Sequence, residues 1–247
     1  MLRVVMFWFT VVALVVAPCA GLAQKGGFGT TAKKKPSKAA KPMSLPIPAN
    51  GVVRSELDMP QFMGAFVMEE SVVDGVLKLF EEAAPVRGMI SKKGGQEPLV
   101  DLSVKDSFET SVAPNDRRAE WTQYLRSLMS CASLYVETYP FAAAYGVWQL
   151  NSRTNIQRYP PSGGYKTYHT ERTGKGEPEG SRHLVFMTYL NDVHDQGGTE
   201  FVHQNVTIQP RKGLTLIWPA DWTFTHRGVP SPTETKTITT GWFNYVA

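Results

Sequence analysis

Apolar residues recur every three to four positions in two stretches of the chain, then give way to short apolar segments divided by turn residues. Residues 69–82 place Val72, Val73, Val76, Leu77 and Phe80 at helical spacing, and Ala84-Pro85 stops the run. A second run from Asn115 to Tyr139 repeats Trp121, Leu125, Leu128, Ala132 and Tyr135, with Asn115 as the expected N-cap and Pro140 as the stop. Both stripes read as core faces packed on a sheet, so the folded region is expected to open near Val52 with helical material. After Tyr145 the pattern predicts strands over 145–151, 155–159, 165–171, 183–190, 198–202, 205–209, 213–218, 222–227 and 236–243. Segments such as Pro160-Pro161-Ser162-Gly163-Gly164 and Pro210 to Lys212 break them. Short strands at this spacing imply a sandwich or a barrel, a mainly β (α+β) fold with flanking N-terminal helices.

The first 48 residues obey a different pattern. Arg3 precedes a run from Val4 to Ala17 that is apolar except for Thr10, and Gly21 and Ala23 flank Leu22 as a cleavage site would. Residues 1–23 are therefore expected to be a signal peptide that sends the chain into a secretory or export route. The alternative is an uncleaved anchor, with residues 4–17 holding the protein on a membrane, although that stretch is short for a span. Pro18 makes Cys19 a poor lipoprotein site, and cleavage after Ala23 leaves Cys131 without a partner for an internal disulfide. Residues 24–48, with Lys33-Lys34-Lys35-Pro36-Ser37-Lys38 at their centre, lack the apolar surface to fold and read as a basic linker. Residues 49–247 are left for one single-core domain.

Charge divides along the same line. Residues 1–48 carry seven of the 26 basic residues and none of the 22 acidic ones, which leaves 19 against 22 afterwards, a net of −3. A domain of that sign has no overall pull on a polyphosphate backbone, so nucleic acid is not expected as a partner.

The candidate chemistry lies in the strand-rich half. His169 and Glu171 are separated by one residue, so on a strand both side chains face the same way. His226 falls on a late strand that a rolled sheet can return to the first pair. Two imidazoles and one carboxylate are the ligand set that holds non-haem Fe(II) with open positions. Lys236, ten residues after His226, would offer a cation to a dicarboxylate.

The text around these residues resembles the prolyl 4-hydroxylase-type branch of the 2-oxoglutarate- and Fe(II)-dependent dioxygenases. Gln157-Arg158-Tyr159-Pro160-Pro161, Gly163-Gly164-Tyr165 and His169 carry the resemblance. So do Phe186 to Asp192, Gly197-Gly198-Thr199-Glu200-Phe201, Pro210-Arg211-Lys212-Gly213, Leu216-Ile217-Trp218-Pro219 and His226 to Pro230, in order. Lys236 and Trp242 keep the family's spacing. The resemblance implies a double-stranded β-helix, or jelly roll, and assigns His169, Glu171 and His226 to iron. It implies that Lys236, helped by the hydroxyl of Tyr189, pairs with the distal carboxylate of 2-oxoglutarate, and that Tyr159 lines the same pocket. Fe(II) is the implied cofactor, with 2-oxoglutarate and O2 as co-substrates and ascorbate as an admissible addition. One departure is the position of Glu171, where the commonest form of the motif has Asp and a phage- and bacterial-like subgroup has Glu. A carboxylate of either length argues against a halogenating relative, since those vacate the position for halide.

Other residues have plainer readings. Trp218, Trp222 and Trp242 read as core or pocket wall, Arg227 as surface, and His183, His194 and His203 as ordinary histidines. Asp192 and Asp195 rival Glu171 only if that side chain points away, and Asn205-Val206-Thr207 is a glycosylation sequon that matters only in a eukaryotic secretory route. Three functions follow: a hydroxylase of a peptidyl side chain such as proline, a same-mechanism oxygenase on another residue or a small molecule, or a non-catalytic jelly roll with a degenerate metal site. The sequence carries no code for the substrate or for the oligomeric state.

Overall fold

A computed structural model describes residues 51–90, 97–174 and 176–246. The expected signal segment 1–23, the linker 24–48 and Cys19 lie outside the described residues. Among the described residues no helix is long and apolar enough to cross a membrane.

The folded region opens with strands, not with a helix. β1 (Val53–Arg54) and β2 (Gly64–Val67) precede α1 (Glu70–Glu81); β3 (Val86–Arg87), β4 (Lys105–Asp106) and β5 (Phe108–Val112) precede α2 (Ala119–Thr138). The remaining strands are β6 (Trp148–Gln149), β7 (Thr154–Tyr159), β8 (Gly164–Tyr165), β9 (Arg182–Tyr189) and β10 (Thr199–Phe201). β11 (Val206–Ile208), β12 (Leu214–Pro219), β13 (His226–Gly228) and β14 (Lys236–Tyr245) complete the chain.

Antiparallel pairing builds one large sheet in the order β1-β2-β12-β9-β14-β7-β5-β3, with β6 joined to the far end of β14. A three-stranded sheet, β11-β10-β13, and the pair β4-β8 lie apart from it. The result is a jelly roll: mainly antiparallel β with two helices packed on one face of the large sheet. β2 and β5, which the sequence pattern did not expose, are integral to that sheet; Phe108-Glu109-Thr110-Ser111-Val112 alternates too weakly to announce a strand.

Each helix buries the stripe that its periodicity predicts, with small shifts. α1 buries Val72, Val73, Val76, Leu79 and Phe80, with Leu77 only half-buried. α2 begins at Ala119, four residues later than the expected N-cap. The Asp116 carboxylate accepts the Arg118 amide at 2.9 Å and its guanidinium at 2.7 Å, which holds a turn where Asn115 was expected to start the helix. Trp121, Tyr124, Leu128, Cys131, Ala132 and Tyr135 then pack with Leu184, Phe186, Ile217 and Phe243 from the sheet.

Three hydroxyls on that face meet one another. Tyr124 and Thr188 hydroxyls meet at 3.1 Å, and Thr188 meets Thr215 at 2.8 Å. The opposite face of the same strands carries Val185, Met187, Tyr189, Leu216, Trp218 and Ile238, which pack with Phe201 and Ile208 of the small sheet. The cavity opens on this second side.

Candidate metal centre

His169 and Glu171 do not lie on a strand, contrary to the expectation of one over 165–171. β8 ends at Tyr165, and beyond it only His169 makes a β-bridge, to His226. The two residues exchange backbone bonds, His169 N to His226 O at 2.9 Å and His226 N to His169 O at 3.0 Å. The next residues turn because Ala220 captures them: its carbonyl accepts the Thr170 hydroxyl at 3.0 Å and the Arg172 amide at 2.9 Å. Convergence of the two side chains thus comes from an anchored turn, not from strand alternation. The expected strand 222–227 is likewise divided, since residues 222–224 form a tight helical turn before β13 begins at His226.

The three side chains offer one ligand atom each, all within 4.8 Å of one another. Glu171 Oε1 stands 3.6 Å from Nε2 of His169 and 3.6 Å from Nε2 of His226. In both histidines Nδ1 faces a backbone carbonyl two residues back, that of Thr167 at 3.0 Å and that of Phe224 at 2.9 Å. A carbonyl only accepts, so each Nδ1 must carry the proton, which leaves the Nε2 lone pairs directed at Glu171. Burial lowers the His226 pKa to about 4, with the His169 ring adding to the effect, so its imidazole is neutral near pH 7. Burial by itself would raise Glu171, but the His169 side chain, His226 and Arg182 outweigh it and bring the carboxyl to about 2. Two imidazole nitrogens and one carboxylate fit a divalent first-row metal with open positions.

Aromatic rings hold the imidazoles in place. Tyr165 stacks on His169 with ring centroids 3.9 Å apart, and Trp218 meets His226 edge-on at 5.3 Å. Behind the carboxylate, Glu171 Oε2 accepts the Trp242 indole N–H at 3.0 Å and the Arg182 guanidinium at 3.3 Å. Sequence reasoning missed Arg182 altogether, and nothing in its local pattern marks it.

These groups line one cavity of about 650 Å³ that also takes in Lys236, Tyr159, Thr199 and Ile238. Lys236 is 3% exposed; its ammonium donates to the carbonyls of Gly197 at 2.6 Å and Val229 at 3.3 Å. No carboxylate pairs with it among the described residues, and burial pulls its pKa down to about 8. A buried ammonium without an anion is costly, and the cavity in front of it is where an anion would remove that cost. Tyr159 faces Lys236 across β7 and β14, and its ring lies 5.4 Å from the ammonium. Its hydroxyl donates to Gln157, whose amide reaches the Glu109 carboxylate at 3.1 Å.

Tyr189 is not brought to the cavity wall. Its hydroxyl is spent on Thr199 at 2.7 Å and on the Ile208 carbonyl at 3.1 Å, and Thr199 is the residue that lines the cavity. Asp192 and Asp195 are engaged elsewhere, by the Lys212 amide and the Thr233 hydroxyl. Trp222, expected in the core or pocket wall, is 66% exposed, and Arg227 pairs with Glu200 at 2.7 Å.

A jelly roll that aims two imidazoles and one carboxylate at a common point, inside a cavity with a buried cation, has a ligand set suited to a mononuclear non-haem iron. Residues 154–244 match the profile of the 2OG-Fe(II) oxygenase superfamily. The matched segment runs from β7 to β14 and contains His169, Glu171, His226 and Lys236.

Among solved structures, the fold is similar to a viral collagen prolyl hydroxylase from Paramecium Bursaria Chlorella virus-1, solved with 2OG. That likeness has a TM-score of 0.56 at 16% identity, covering 75% of this chain and 97% of that one. A Pseudomonas putida prolyl-4-hydroxylase matches with a TM-score of 0.53 at 17% identity, over 75% of this chain and 94% of the other. A Trichoplax adhaerens prolyl hydroxylase, solved in complex with a hypoxia inducible factor peptide fragment, matches with a TM-score of 0.53 at 17% identity, over 80% and 84%. No curated protein matches the chain.

Proposed function

We propose that the domain hydroxylates a peptidyl side chain, with proline as the first candidate, and that His169 Nε2, Glu171 Oε1 and His226 Nε2 hold its iron. The observation that carries the assignment is the buried, anion-free Lys236 ammonium sharing a cavity with the two-histidine, one-carboxylate cluster. That cation sets the position of the distal carboxylate of 2-oxoglutarate. Bound at the cluster, Fe(II) supplies the O2 chemistry in which 2-oxoglutarate is oxidised to succinate and CO2 while one oxygen atom enters a C–H bond.

The protein's own part is orientation and exclusion of water. The carbonyls of Thr167 and Phe224 fix both imidazole tautomers, Tyr165 and Trp218 hold the rings, and Tyr159 and Ile238 close the walls near Lys236. Thr199 offers a hydroxyl on the same wall, where Tyr189 had been expected to do so. A peptide as substrate is supported by the similarity to the Trichoplax enzyme, whose structure holds one. We further propose that residues 1–23 direct the chain to export, residues 24–48 act as a spacer and residues 49–247 form the catalytic domain. Edman sequencing of the mature protein tests the first point, with Gln24 as the expected N-terminus.

The decisive experiment is anaerobic loading with Fe(II), then O2, 2-oxoglutarate and a proline-rich peptide. Succinate is expected to form, the peptide to gain about 16 mass units, one oxygen atom, and both to vanish in His226→Ala. Succinate without a peptide product would redirect the search to another substrate. Bound iron without succinate would refute the enzyme reading.

A further inference from the structure

The Glu171 side chain is gripped on the oxygen that faces away from the histidines. Oε2 accepts from Trp242 Nε1 at 3.0 Å and from Arg182 Nη1 at 3.3 Å, and the same Arg182 nitrogen also donates to the Glu171 backbone carbonyl at 2.7 Å. The guanidinium lies 3.7 Å over the Trp242 ring, so the two donors are fixed to one another as well as to the carboxylate. Arg182 and Trp242 stand on adjacent strands of the large sheet, β9 and β14, which makes the grip part of the rigid scaffold.

Glutamate has one more rotatable bond than aspartate and two equivalent oxygens, so an unrestrained Glu171 could swing or close on a metal with both. We propose that Arg182 and Trp242 are positioning residues that hold Oε2 back and leave Oε1 as the single ligand atom of this side chain. The clamp fixes the extra bond of the longer arm and keeps open a coordination position that a bidentate carboxylate would occupy. It accounts for how a glutamate serves at this position. The proposal rests on the reading of His169, Glu171 and His226 as metal ligands.

Mn(II) binding to the full, metal-free chain tests it, measured by titration calorimetry and by the EPR spectrum of the bound ion. Trp242→Phe keeps a smaller ring beneath Arg182 and removes the indole N–H; Arg182→Met removes the guanidinium. Each is expected to weaken Mn(II) binding by about tenfold or more, the usual effect of losing a partner that orients a ligand. The EPR spectrum of the bound ion should change with it, while the melting temperature of the metal-free protein stays that of the wild type. Arg182→Lys, which retains a donor, should recover part of the loss.

On a Glu171→Asp background the shorter arm falls out of reach of the clamp, so Trp242→Phe should then cost little. Wild-type affinity and spectrum in Trp242→Phe and Arg182→Met overturn the clamp, as does an equal loss on the Glu and Asp backgrounds. Should Arg182→Met lower the metal-free melting temperature, Trp242→Phe and the two-background comparison decide. Equal Mn(II) affinity in the wild type and His226→Ala is a different result, which removes the ligand assignment itself.

Discussion

Neighbouring residues on β14 belong to two different regions. Phe243 packs into the helix side against Trp148 and Phe186, with ring centroids at 5.1 and 5.3 Å, while Trp242 turns to the cavity and bonds Glu171. Lys236, Ile238 and Thr240 share the cavity side. The helix side is closed: Gly241 has no side chain there because a Cβ would stand 2.6 Å from the Phe186 ring. Its buried hydroxyls at Tyr124, Thr188 and Thr215 satisfy one another. The cavity side keeps a cation without an anion and three ligand atoms aimed at a common point. One face of the strand spends its residues on stability; the other leaves polar groups unmatched for a ligand to complete.

That division can be broken one residue at a time. The largest effect is expected from Phe243→Ala, which should cost about 3–5 kcal/mol in denaturant unfolding while leaving Mn(II) affinity of the folded fraction unchanged. A loss of metal affinity without loss of stability would reverse the assignment of the two faces. Next comes Lys236→Met, which should weaken 2-oxoglutarate binding to the Mn(II)-loaded protein by about 2 kcal/mol or more, roughly thirtyfold, in calorimetry. The same variant should melt no lower than the wild type, because a buried, anion-free charge has been removed.

A smaller effect follows from pH. The folded Lys236 loses its proton near pH 8 and the unfolded one near its ordinary value of 10.5, so between them the unfolded chain binds more protons. Stability of the ligand-free wild type should therefore rise relative to Lys236→Met from pH 8 to 10.5, and 2-oxoglutarate affinity should fall over the same window. Parallel melts and titrations of the two proteins check both signs. The smallest effect belongs to a pair outside both regions: Arg172→Ala, which breaks a part-exposed bond to Asp221 at 2.6 Å, should change the melting free energy by less than about 1 kcal/mol.

The same contrast explains what the sequence revealed. The helix-side stripes of α1 and α2 were legible because burial on one face imposes a period, β9 and β12 because they are largely apolar, and β14 because its ten residues are rich in β-branched and aromatic side chains. β2 and β5 escaped notice, being short or mixed in polarity and held in place by partners far along the chain. His169, Glu171, His226 and Lys236 were legible as residue types at a known spacing. The bend that brings His169 and Glu171 together was not, because it depends on the Ala220 carbonyl about fifty residues away. Tyr189 was assigned by its neighbours in sequence, whereas its hydroxyl is decided by Thr199 and Ile208 in space. Arg182 carried no signal, since an arginine at a strand start is ordinarily solvated.

The reciprocal backbone bonds between His169 and His226 have a consequence for how the protein acquires its metal. They bring two of the three proposed ligands together by main-chain pairing alone, a pairing that a chelator cannot remove. In small zinc domains the ion supplies the folding energy, and its loss unravels the chain. Here the pairing draws on backbone N–H and C=O groups, so the ion is not what joins these two segments.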